Sequence, residues 1–243
     1  MKIAIAQIEA VKGDIERNLN KHVAFIEEAL EQNVDLIMFP ELSLTGYEPE
    51  LAKNLATHSE DSRLDALQTR SDQQNIIICA GLPTKLDEKL FISMVIFQPY
   101  KQRITYSKQY LYPTEIDVFT PGNTPCVIAA GSQEIVAPAI CYELSNAAHA
   151  ENAQRMEATV YMASVLDSVG GVDADLQRLS QIASTYKMIT FMSNYVGCSG
   201  GYKCAGKSSV WNSDGQLLAQ LDDKTEGLLI YDTETKFVNE LYY

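Results

Sequence analysis

The sequence predicts an α/β fold, and three observations carry that prediction. Residues 2–81 alternate short apolar runs with amphipathic stretches in a β-α-β-α-β order, which predicts parallel pairing at the start of the chain. Residues 91–140 then offer strand-like runs separated by short turns, which predicts antiparallel additions to the sheet. Helical and strand periods alternate again from residue 146 onward.

Taken in order, residues 2–8 alternate like a strand. Residues 14–32 place Ile15, Leu19, Val23, Ile26 and Leu30 near a helical period. The run Asp35-Leu36-Ile37-Met38-Phe39-Pro40 is a short strand ended by proline. Residues 60–74 predict a helix, and residues 75–81 a buried strand. Strands are predicted over 91–98, 102–107, 126–130 and 134–140. A helix follows over 146–157, a strand over 159–163, a helix over 173–187 and a strand over 189–194. The chain closes with strands at 207–212, 216–221 and 227–231, the first two joined by a turn at Asn212-Ser213-Asp214-Gly215. Residues 1–243 show no repeat, low-complexity tract or linker, so one domain is expected.

Composition narrows the function classes. The net charge of −13, without a basic patch, argues against nucleic-acid binding, because phosphate contacts need clustered Lys and Arg. No apolar run approaches the ~20 residues that span a bilayer, and the N-terminus reads as a strand rather than a signal peptide. There are five cysteines, Cys79, Cys126, Cys141, Cys198 and Cys204. The odd count predicts free thiols and a cytoplasmic protein. No pair has CxxC spacing, and His22, His58 and His149 are not spaced with cysteine as a zinc site requires. Neither a metal nor a cofactor is expected.

Three residues stand just past strand-like runs: Glu41 after Phe39-Pro40, Lys108 after Thr105-Tyr106-Ser107, and Cys141 after Val136 to Ile140. In open α/β sheets such positions line the ligand crevice. A helix start after Cys141 would lower its thiol pKa. A thiol, a carboxylate and an ammonium in one crevice can perform acyl transfer: the sulfur attacks, the carboxylate moves the proton, the ammonium stabilises the oxyanion. Tyr47 and Tyr112 flank these segments and are expected to shape the acyl side of a pocket. Val165, just past the 159–163 strand, is expected to line it, with packing in the core as the alternative reading. Cys198 and Cys204 fall in a Gly-rich stretch with Tyr202, expected to be a surface loop. His149 raises a Cys–His dyad, but a solvated helix position is the expectation.

These segments resemble the nitrilase superfamily of carbon–nitrogen hydrolases over nearly the whole chain. Phe39-Pro40-Glu41-Leu42-Ser43-Leu44-Thr45-Gly46-Tyr47 is similar to its catalytic-glutamate segment, Tyr106-Ser107-Lys108-Gln109-Tyr110-Leu111 to its lysine segment, and Ile140-Cys141-Tyr142-Glu143 to its nucleophile segment. Phe119-Thr120-Pro121-Gly122, Asn194-Tyr195-Val196-Gly197 and Gly206-Lys207-Ser208-Ser209, with Asp214-Gly215, resemble supporting motifs. The resemblance implies Cys141 as nucleophile, Glu41 as general base, Lys108 as oxyanion stabiliser and Glu115 as an orienting carboxylate. It implies the N–H of Tyr142 as a second oxyanion donor, with Tyr142 at the substrate. It further implies a four-layer α-β-β-α sandwich, usually dimerised. The aromatic tail Phe237 to Tyr243 fits a homodimer interface.

The implied activity is cleavage of a small-molecule amide or N-carbamoyl bond through a cysteine thioester. The alternatives are a nitrilase acting on a small nitrile, or a non-catalytic scaffold. The chain's short C-terminus favours an amide; the lack of membrane segments and of a ligase domain argues against the acyltransferase and synthetase branches. Departures from the family pattern are Glu143 where Asp is usual, Ala147-Ala148-His149-Ala150-Glu151 where Pro-Glu and Arg open the next helix, Ile182-Ala183-Ser184-Thr185-Tyr186 in place of Arg-Ala-x-Glu-Asn, and Ile92-Ser93 in place of Asn-Ser.

Overall fold

A computed structural model describes residues 1–243. Strand β1 (Lys2–Gln7) leads into helix α1 (Ile15–Glu31), which opens where the Asp14 carboxylate accepts the N–H of Arg17 at 3.0 Å, an N-cap that satisfies an otherwise orphaned donor. Then come β2 (Leu36–Met38), the short α2 (Ala52–Leu55), α3 (Asp65–Gln74), β3 (Ile77–Leu86), β4 (Lys89–Phe97) and β5 (Ile104–Ser107). The second half holds β6 (Ile128–Ala130), β7 (Glu134–Ile140), α4 (Ala147–Arg155), β8 (Val160–Ser164), α5 (Val172–Tyr186) and β9 (Ile189–Ser193). The hairpin β10 (Cys198–Ser199) and β11 (Tyr202–Lys203) precedes β12 (Ser209–Trp211), β13 (Leu217–Gln220), β14 (Gly227–Asp232) and β15 (Val238–Tyr242).

Two sheets form, rather than one sheet with antiparallel additions. The seven-stranded sheet runs β15-β14-β1-β2-β3-β4-β5, and the six-stranded sheet runs β13-β12-β9-β8-β7-β6. Each has a parallel centre, β1-β2-β3 in one and β7-β8-β9 in the other, flanked by antiparallel strands. The alternation of side chains shows how they stack. Along β7, Val136 and Ile140 join the large core that also holds Ile3, Ile5, Ile37 and Ile78, while Ala137 and Ala139 join a second core with Leu179 and Ala183 of α5. Along β8, Val160 and Met162 face the first core, and Tyr161 and Ala163 the second. A strand points successive side chains to opposite faces, so the two sheets pack face to face with α4 and α5 covering one outer side. Phe25, Ile26 and Leu67 place α1 and α3 on the other. This is a four-layer α-β-β-α sandwich. No helix is long and apolar enough to cross a membrane.

Three local differences from the sequence reading have physical causes. The buried face of α1 includes Asn18 and His22; the hydrophobic period alone passes over both, because their polar atoms are satisfied inside the protein. The tail pairs with β14 as an edge strand, leaving Phe237 and Tyr243 exposed. Residues 198–204 are a short hairpin tied down at both ends rather than an open loop.

Candidate active site

Three strand ends deliver the predicted residues to one cleft. Glu41 lies in a tight turn after β2. Its carbonyl accepts the Tyr195 hydroxyl at 2.6 Å. From α1, the Asn18 amide donates to the Leu44 carbonyl at 3.1 Å, and His22 Nε2 lies 2.8 Å from the Ser43 hydroxyl. The turn packs so closely on β3 that a Cβ at Gly81 would stand 2.4 Å from the Leu42 nitrogen, so only glycine fits there. Lys108 follows β5, held by its N–H to the Ile92 carbonyl and by its carbonyl to the N–H of Gly122, both at 2.8 Å. Cys141 sits at the end of β7 with φ of +45°, a left-handed conformation that costs of order 1–3 kcal/mol for a residue with a Cβ. The chain then turns at once into a 3₁₀ segment, Cys141–Ser145.

The ammonium of Lys108 is fully buried. It donates to Glu41 Oε1 at 2.7 Å and to Glu115 Oε1 at 2.8 Å. Glu115 is itself held by the Tyr47 hydroxyl at 2.8 Å and by the N–H of Tyr112 at 2.7 Å. Its oxygens are fully used. Glu41 Oε2, by contrast, accepts no hydrogen bond from the protein. Glu41 and Cys141 line a cleft of about 280 Å³ together with Tyr47, Tyr112, Glu115 and Tyr142. Tyr112 and Tyr142 meet edge to face at its mouth, with ring centroids 5.2 Å apart. A larger hollow of about 570 Å³ lies apart, along the β3–β4 hairpin and residues 120–124.

Burial and the Glu115 charge push the Glu41 carboxyl up, Lys108 pulls it back, and the outcome is about 7. Burial works against the Lys108 ammonium, but the charges of Glu41 and Glu115 outweigh it and keep the amine charged. The thiol does not behave as the sequence predicts. Burial and the Glu41 charge raise Cys141 well above its ordinary value, and Lys108 only partly offsets them. A short 3₁₀ turn at Cys141 does not overcome the loss of solvent. The resting cysteine is therefore a thiol rather than a preformed thiolate.

Val165 is a second correction. It is fully buried in the core between β8 and α5; the next residue, Leu166, beyond the end of β8, lines the cleft. His149 is a third. It is buried, with Nε2 2.8 Å from the Tyr106 hydroxyl and Nδ1 2.8 Å from the Tyr161 hydroxyl. Both ring nitrogens are thus engaged away from Cys141, and burial lowers its pKa to about 4. The atypical Glu143 explains this cluster. Its buried carboxylate accepts the N–H of Ile140 at 2.7 Å, the N–H of Gln109 at 2.6 Å and the Tyr106 hydroxyl at 2.8 Å. One side chain so joins the cysteine segment to the lysine segment. Asp167, Asp175 and Arg178 also line the cleft; no motif in the sequence singles them out, because they are brought there by the β8–α5 connection.

A family model described as carbon-nitrogen hydrolase matches residues 2–243. The chain is 26% identical over 97% of its length to a glutamine-dependent NAD(+) synthetase of Acinetobacter baylyi, and 27% identical over 51% to an aliphatic nitrilase of Rhodococcus rhodochrous. It spans 45% and 36% of those proteins, less than half of each. Among solved structures, the amidase from Nesterenkonia sp. AN1 in complex with butyramide superposes with a TM-score of 0.88 at 24% identity, covering 97% of this chain and 92% of that one. A structure of a glutamate-to-leucine mutant of that amidase, at a TM-score of 0.86 and 24% identity over 95% of this chain and 89% of that one, shows the acetamide moiety of fluoroacetamide covalently added at its active-site cysteine.

Proposed function

The chain belongs to the carbon–nitrogen hydrolase family, and on that premise we propose that it cleaves a small-molecule amide or N-carbamoyl bond through a thioester on Cys141. The observation that carries the reading is the free Oε2 of Glu41, buried in the cleft that Cys141 lines while its other oxygen is held by Lys108. The Cys141 sulfur attacks the carbonyl carbon as its proton passes to Glu41. Charge on the carbonyl oxygen is met by the Lys108 ammonium and the N–H of Tyr142, and each such donor typically contributes 10²–10³ in rate. Glu41 returns the proton to the departing nitrogen, and the C–N bond breaks to give ammonia or an amine. Water enters, Glu41 takes its proton, and the thioester is hydrolysed to the acid with the thiol restored. Glu115, saturated by Lys108, Tyr47 and Tyr112, holds the ammonium in place and moves no proton.

The amide class is supported by the amidase likeness of the fold. We place residues 1–243 in one carbon–nitrogen hydrolase domain. The same proposal has the protein act as a cytoplasmic homodimer, without nucleic-acid or membrane partners and without a cofactor. Five free cysteines support a reducing compartment.

The experiment is intact-mass spectrometry of the protein exposed to a panel of amides and nitriles, beside Cys141→Ala. An acyl adduct on the unaltered protein, absent in Cys141→Ala with an unchanged melting profile, is expected. Full turnover by Cys141→Ala would end the assignment.

A further inference from the structure

The cleft contains charges that the acyl-transfer steps leave unused. Asp167 directly follows Leu166, whose carbonyl oxygen lies 3.9 Å from the Cys141 sulfur. Its backbone is clamped. The N–H donates to Asn194 Oδ1 at 2.8 Å, and the carbonyl accepts from the Asn194 amide at 3.2 Å and from the N–H of Ala205 at 2.9 Å. A backbone held in this way fixes the direction of the carboxyl. Asp167 is only 6% exposed, and its Oδ2 is buried without accepting any hydrogen bond. Beside it stands Asp175, in the first turn of α5 and paired with Arg178.

A buried carboxyl oxygen without a donor is unfavourable, so it calls for one from the ligand. Burial, then the charge of Asp175, then that of Glu41 push the Asp167 carboxyl well above its ordinary value. Arg178 offsets one of these negative charges and donates one N–H to Asp175. With both carboxylates ionised, one guanidinium leaves the pair short of one positive charge, and a protonated amine supplies that charge together with an N–H donor. No group of three His, Cys, Asp or Glu side chains is placed to hold a metal ion instead.

Resting on the amide-hydrolase reading of Cys141, we propose that Asp167, backed by Asp175 and Arg178, binds a protonated amino group on the acyl chain, making amino-substituted carboxamides the substrate class. With a primary amide the leaving group is ammonia, so a second recognition point has to lie on the acyl part. Asp167 acts here as a specificity-determining residue, and the proton transfers stay with Glu41.

The test is a panel of primary amides run on the unaltered protein. Glycinamide, β-alaninamide, 4-aminobutanamide and 5-aminopentanamide are each compared with the isosteres carrying methyl or hydroxyl in place of the amine. At one chain length the amine is expected to raise kcat/KM at least about tenfold over both isosteres, and Asp167→Asn to bring that ratio to about one. Equal rates for amine and methyl compounds at every length would overturn the proposal while leaving the hydrolase reading standing. So would an equal gain from the hydroxyl, or an unchanged ratio in Asp167→Asn. If no amide in the panel is hydrolysed, the amide reading falls and the proposal with it. Should Asp167→Asn fail to fold, the unaltered protein alone decides, because the ratio between isosteres is read on it directly.

Discussion

In the proposed mechanism Glu41 faces two demands that its surroundings reconcile. As the base it has to be ionised to accept a proton, yet basic enough to take one from a thiol that burial has made a poor acid. Desolvation and Glu115 raise it, Lys108 restrains it, and a value of about 7 results, close to the optimum for proton transfer at neutral pH. Because the carboxylate is the active form, kcat/KM should rise with pH and level off above about 7, falling close to tenfold per unit on the acid side. A midpoint near the ordinary carboxylate value of 4.5 would show that a raised Glu41 carboxyl does not set the rate. Lys108 makes a second prediction. Replacing it with Met leaves Glu41 and Glu115 buried without their cation, and breaking a buried pair in this way costs about 3–5 kcal/mol. Denaturant unfolding at pH 8 should show that loss, and it should shrink at pH 5 as Glu41 takes up a proton.

At the scale of elements, the site depends on which strand ends meet. The β2, β5 and β7 ends come from two sheets, and the links between them are single side chains: Ser164 donates to the Phe39 carbonyl at 2.9 Å, and Glu143 ties β7 to the segment after β5. Burial raises Glu143 to about 7 with no cation in contact to hold it down. A carboxyl raised in the folded state contributes stability below its unfolded value near 4.5 and loses it as pH climbs to about 7. Glu143→Gln has no such loss. Its stability deficit relative to the unaltered protein should therefore narrow by ~3 kcal/mol between pH 4.5 and 7. A deficit that stays constant across that range would mean that Glu143 titrates normally.

For the whole molecule, the two sheets each keep a parallel centre and antiparallel flanks, so every central strand is covered on both faces and the exposed edges are β15, β5, β13 and β6. The β15 edge carries Phe237, Tyr242 and Tyr243, with exposures of 67%, 45% and 50%. Exposed aromatics on a free edge favour pairing with a second copy. Light scattering is expected to give a mass near twice 27.0 kDa at micromolar concentration, and a persistent 27.0 kDa species would remove the dimer from the proposal.

Periodicity by itself determined most of the elements, since a two-residue or 3.6-residue repeat reports which face is buried whatever it is buried against. It also marked Glu41, Lys108 and Cys141 as residues just beyond strands. It could not place those strands in two sheets, because both register and stacking are long-range choices. Nor could it say that Val165 points into the core and Leu166 into the cleft, since one residue of offset reverses a side chain. His149 reads as a solvated helix residue and Glu143 only as a departure from the family's usual Asp, and only the assembled sandwich supplies Tyr106 and Tyr161 to satisfy them. The acidity of Cys141 was likewise a tertiary outcome: a cysteine before a turn can be activated or suppressed, and here the burial created by two facing sheets, with Glu41 inside it, decided the sign.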